Sequence, residues 1–107
     1  MQLPKLRVLI FQEEGWWVAV GLERFIAVQA KSLTEVVIAF FKQLSLQITL
    51  DVGGGVAPLS HCAEAPEELW ERYRSASLHL TLDLSTDLPE VDTQNHRALI
   101  EDIRVAA

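Results

Sequence analysis

His61, His79, His96 and the single cysteine, Cys62, are the residues in this chain whose types could carry proton transfer, nucleophilic attack or metal binding. Their spacing argues against each. A local metal site favours ligands three or four residues apart, whereas His61 and Cys62 are adjacent and the other histidines lie far along the chain. Ser60-His61-Cys62 sets a nucleophile type beside a base type, but adjacency is not a hydrogen-bonded geometry, and no orienting carboxylate belongs to it. His79 and Asp83 share one side of an alternating run, yet four strand residues hold them roughly 13 Å apart. The paired carboxylates Glu13-Glu14 and Glu67-Glu68 fall in a turn and in the first turn of a helix, where acidic residues serve folding. Two-metal hydrolysis needs carboxylates projecting from a core strand, and the first strand offers none between Leu6 and Gln12. Gly53-Gly54-Gly55 lacks the spaced glycines and the Lys-Ser/Thr of a phosphate-cradling loop. The expectation is a protein that is not an enzyme, with no catalytic residue, no cofactor and no metal; a cleft joining His79, His96 and a carboxylate would reverse it.

The totals agree. With 107 residues the chain makes one domain with one core. A net charge of −6 and a pI near 4.9 have the wrong sign for neutralising phosphates, so direct nucleic-acid binding is disfavoured. One cysteine allows no intrachain disulfide, and no stretch reads as a secretory leader or a membrane span. The expected location is the cytoplasm.

The elements that would position these residues are organised around the stretch from Ser32 to Leu50. Ser32 and Glu35 form a capping box, and Leu33, Val36, Val37, Phe40, Phe41, Leu44 and Ile48 recur at helical spacing, with Ile38 on the opposite, polar side. Before it, Leu6–Gln12, Trp16–Leu22 and Phe25–Ala30 read as three strands, the first two joined by the turn Glu13-Glu14-Gly15. Connections this short make an antiparallel meander. After the helix, residues 53–65 form a connector, and Pro66 starts a second helix running to about Ser75 with a Leu69, Trp70, Tyr73 stripe. Leu78, Leu80, Leu82 and Leu84 alternate with polar residues as a fourth strand. Ser85–Asn95 reads as a polar loop, and 99–105 fits a short helix or an interrupted strand equally. The fold class expected is α+β: an antiparallel sheet of three to four strands in the order β-β-β-α-(α)-β, with one long helix packed on one face.

Alternation then assigns faces. Leu6, Val8 and Ile10 of the first strand, Trp16, Val18 and Val20 of the second, and Ile26 and Val28 of the third would meet the long helix. Leu9, Phe11, Trp17, Ala19, Phe25 and Ala27 would fill the other side, which is too apolar to stay wet. Later parts of the chain, a second copy or a foreign protein must cover it. The short second helix cannot screen three strands, so a homodimer is expected, built from this face (Leu9, Phe11, Trp17, Phe25 and Ala27) or from an adjoining sheet edge, with Trp17 in the contact.

The apolar first strand, the turn Glu13-Glu14-Gly15, the aromatic pair Trp16-Trp17 and the crossing Gln29-Ala30-Lys31-Ser32-Leu33-Thr34-Glu35 together resemble the HicB-like antitoxin domain. That family has a partial RNase H-like fold of three antiparallel strands, a helix and a fourth strand. The likeness covers residues 6–50. Leu22-Glu23-Arg24-Phe25 departs from the Leu-Pro-Gly-Cys usual between strands two and three, and the C-terminal half lacks the DNA-binding module family repressors append. The resemblance implies a protein-binding role, in which an acidic domain sequesters a small basic toxin nuclease. The alternative is a stand-alone homo-oligomeric scaffold or accessory protein with no toxin partner.

Overall fold

The computed structural model describes residues 5–80 and 100–106. The chain opens with three strands, β1 (Leu6–Glu13), β2 (Trp16–Gly21) and β3 (Ile26–Ala30), paired antiparallel as the short connections require. The β1–β2 turn has two residues, Glu14 at φ 50° and Gly15 at φ 82°, so Glu13 pairs with Trp16. Positive φ at both positions gives the hairpin a twist that matches its strands.

This turn corrects the face assignment. With Glu13 opposite Trp16, Ile10 stands opposite Ala19 and Phe11 opposite Val18. Cross-strand partners share a face, so Trp17 and Ala19 join Leu6, Val8 and Ile10, while Val18 and Val20 join Leu9 and Phe11. The expectation for β2 was inverted, because a three-residue turn and a two-residue turn place the returning strand in opposite phase. Trp17 therefore lies on the side opposite Leu9 and Phe11, partly buried beside the long helix.

That helix, α1 (Leu33–Gly53), starts where the capping box places it: the Ser32 hydroxyl accepts from the Glu35 N–H at 3.1 Å. It ends in a Schellman turn. Gly55 takes the left-handed conformation at φ 74°, the Gly55 N–H donates to Val52 O, and the Val56 N–H donates to Asp51 O. Val36, Val37, Phe40, Phe41 and Leu44 pack on the β3–β2–β1 sheet. Ile38, expected on the polar side, is partly buried against this core, since the helix is apolar over more than half its circumference.

Residues 56–65 strap the end of α1 to the sheet. Asp51 accepts the Leu59 N–H at 2.8 Å and a Gln47 amide at 3.1 Å, holding Leu59 at φ 64° with its side chain fully buried. The Phe25 N–H then donates to Ala63 O, and Ala65 N–H to Leu22 O. From there α2 (Glu67–Ser75), with Pro66 at its N-cap, crosses the second face over β1.

The remaining strands among the described residues are β4 (Leu78–His79) and β5 (Ile100–Val105), and the sheet order is β3-β2-β1-β5-β4. β5 pairs parallel with β1, so the sheet is mixed and not antiparallel throughout as expected. The 100–105 segment is a strand whose register shifts at Glu101: Leu6 faces Ile100, but Arg7 faces Asp102. This bulge puts Ile100 and Ile103 on one face at a spacing of three, which imitates a helix in the sequence. Of the expected fourth strand, Leu78–His79 is seen and the Leu80 N–H donates to Ile103 O at 2.9 Å; its continuation over residues 81–84 (Asp83 among them), the 85–95 loop and His96 lie outside the described residues.

Candidate functional site

The described polar side chains converge most densely where α2, β4 and β5 meet. Asp102 and Arg104 alternate on β5 and so project to the α2 face, where Tyr73, the last residue of the α2 stripe, is turned inward. His79 stands opposite Arg104 on β4. Asp102 is the hub: its Oδ2 accepts from Tyr73 Oη at 2.7 Å and from Arg104 Nε at 2.9 Å, and its Oδ1 meets His79 Nδ1 at 2.9 Å. Arg104 Nη1 also donates to the Tyr73 and Ala76 carbonyls at 3.1 and 3.4 Å, placing a cation at the negative end of α2. Its guanidinium lies 4.4 Å from the Tyr73 ring centroid.

Burial alone would raise the Asp102 carboxyl, but the hydrogen bonds from Tyr73, His79 and Arg104 outweigh it and hold it at about 2. The Tyr73 hydroxyl is pushed up to about 12, first by burial and then by donating to the Asp102 carboxylate. A histidine bound through Nδ1 to a carboxylate has the orientation of a general base. Here, however, the same carboxylate serves Tyr73 and Arg104 at once, and the cluster ties three elements together. His79 stands out in the sequence by its type, whereas Asp102 and Arg104 do not. Their alternation with Ile103 and Val105 is visible, but only the pairing of β5 with β4 brings them to His79.

The remaining residue types that could do chemistry do not come together among the described residues. Cys62 is half-buried, and burial, reinforced by Asp51, raises its thiol, the reverse of an activated nucleophile. His61 is exposed on the strap. No group of three or more His, Cys, Asp or Glu among the described residues could hold a metal ion.

A second feature lies along the other flank of α2. Phe11 and Leu69 floor a groove of about 530 Å³, open to solvent, with Glu13, Glu68, Glu71, Arg72 and Ser75 around it. Glu13 ends β1, while Glu68, Leu69, Arg72 and Ser75 follow one flank of α2 at helical spacing. Arg72 lies over the Phe11 ring, 4.1 Å from its centroid, so the groove's single cation is already engaged. Elsewhere on α2 the Trp70 Nε1 is buried with no hydrogen-bond partner among the described residues.

The expected contact residues are thus dispersed. Leu9 and Phe11 are buried beneath α2, Ala27 is exposed on the same face of β3, Phe25 is 38% exposed in the β2–β3 turn, and Trp17 is on the opposite face. Later parts of the chain therefore cover β1 but leave β3 open. α1, at 21 residues and mean hydropathy 1.3, is long and apolar enough to cross a membrane by length and composition, and its buried face is the core of this fold. Comparison with protein-family models, curated proteins and solved structures finds no match to this chain.

Proposed function

We propose that this chain is a non-catalytic protein-binding module, similar in kind to a HicB-type antitoxin domain, that takes a small basic protein against the acidic groove between the β1 end and α2. The groove carries the reading: three carboxylates surround an apolar floor, and its one guanidinium is committed to an aromatic ring. Such a surface attracts a Lys- or Arg-rich partner and gives it apolar area to bury. The net charge of −6 adds long-range steering of a basic partner. The three-strand meander followed by a capped helix supports the antitoxin comparison. A cytoplasmic setting, where a toxin nuclease would act, belongs to the same proposal.

The test is affinity capture from the native host with the wild type and with a Glu13→Lys/Glu68→Lys/Glu71→Lys variant. The expected result is a small basic protein that co-purifies with the wild type, elutes with added salt and is lost from the variant. Equal capture by both proteins would remove the groove from consideration.

A further inference from the structure

We propose that β3 is a self-association edge, through which two copies of this chain pair antiparallel about a two-fold axis at Val28 and join their sheets into one. Among the described residues β3 has a neighbour on one side only. Which of its backbone groups face outward follows from the ladder. The Leu22 N–H donates to Arg7 O, so in β2 the residues in phase with Leu22, namely Val20 and Val18, bond toward β1, and Ala19 and Gly21 bond toward β3. Their partners Val28 and Ile26 are thereby satisfied, while Ala27 and Gln29 turn their N–H and C=O groups to the open edge. The Phe25 N–H, in phase with these two, does point away from β2 and is taken by Ala63 O. The strap closes the edge at Phe25, and the free stretch is Ile26–Ala30.

That stretch complements itself. Reversed about Val28, it sets Ala27 of one copy opposite Gln29 of the other, twice, and each such pair exchanges two backbone hydrogen bonds. Val28 meets its own equivalent in the non-hydrogen-bonded position, where side chains approach most closely. On the α1 side, Val28 and Ala30 are half-buried apolar residues at the margin of the core, and pairing covers both. Native edges are usually protected by proline, a bulge or an inward-pointing charge, and Ile26-Ala27-Val28-Gln29-Ala30 has no proline and no charged residue, with a regular pairing to β2. A second copy fits this short stretch in full: with the edge closed at Phe25, the outward groups of Ile26–Ala30 are those of Ala27 and Gln29, and pairing about Val28 satisfies all of them on both copies. Five residues bury little area, so the dimer forms at micromolar or higher concentration.

Sedimentation across a concentration series is expected to show a reversible dimer for the wild type. Ala27→Pro, which removes an N–H facing the edge and none facing β2, is expected to be monomeric with its melting transition retained. Independently of whether that variant folds, Val28→Cys in a Cys62→Ser background is expected to oxidise to a covalent dimer many-fold faster than Ala27→Cys or Gln29→Cys, which do not meet their own equivalents in this register. A wild type that stays monomeric at high micromolar concentration overturns the proposal. So does a folded Ala27→Pro protein that still dimerises, or cross-linking at Val28→Cys no faster than at its neighbours.

Discussion

Asp102 shows how one carboxylate can matter to stability without reacting. Its pKa is held at about 2 in the folded protein, against 3.8 for an unperturbed group. A depressed folded value means stability that is present above the unfolded pKa and is lost as pH falls from about 4 through about 2. Tyr73 has the opposite sign. Its folded value of about 12 lies above the ordinary 10, so its contribution is complete below 10 and is lost as pH rises from 10 to 12. Tyr73→Phe should lower stability by about 1–2 kcal/mol near neutrality, because the partly buried Asp102 carboxylate loses a charge-assisted donor. It should also flatten the alkaline limb between pH 10 and 12; urea melts at several pH values in both proteins check this, and an unchanged alkaline limb would rule out the Tyr73 hydroxyl as its source. The hairpin turn is a second residue-scale case. A Cβ on Gly15 would meet nothing within 4 Å, so the cost of Gly15→Ala is that of the left-handed backbone alone, about 1 kcal/mol. Glu14→Asn should raise stability by about 0.5 kcal/mol, since asparagine tolerates positive φ better than glutamate. Thermal melts that moved the same way for both variants would contradict the turn geometry.

At the scale of elements, what was legible in the sequence is what local rules control. The Ser32–Glu35 cap, the apolar period of α1, the Pro66 start of α2 and the three-strand meander are each written within a few residues. The β2 phase was lost because it depends on one residue of turn length, and β5 because its bulge at Glu101 breaks the alternation. The continuous run Leu-Ile-Phe in β1 did carry the signal of a strand covered on both faces, and α2 supplies the second cover. The candidate site was illegible for a different reason: Tyr73, His79 and Asp102 come from three elements whose meeting is purely tertiary. The breadth of the apolar face of α1 changes one expectation there. Phe40→Ala and Leu44→Ala should each cost about 2–5 kcal/mol, and Ile38→Ala, partly buried, about 1–2 kcal/mol. Denaturant titrations that left Ile38→Ala indistinguishable from the wild type would return that residue to the solvent side.

The whole molecule is closed by its last strand. β1 is bonded on one side to β2, its neighbour in sequence, and on the other to β5, which begins at Ile100. Closing that pairing spans nearly the whole chain, and the loop entropy must be met before the contact contributes. The meander and α1 involve only near neighbours, so β5 docks late in folding. Ile103, buried at 8% exposure beside Val8, then has little interaction in the transition state. Ile103→Ala should lower stability by about 2–4 kcal/mol, with nearly all of it appearing as faster unfolding and little as slower folding. Phe40→Ala, in the locally formed helix and sheet, should divide its effect and slow folding measurably. Stopped-flow chevrons for the two variants provide the comparison. If Ile103→Ala slowed folding as strongly as Phe40→Ala, the parallel pairing would belong to the nucleus, and the chain would assemble around β1–β5 instead of around the hairpin and its helix.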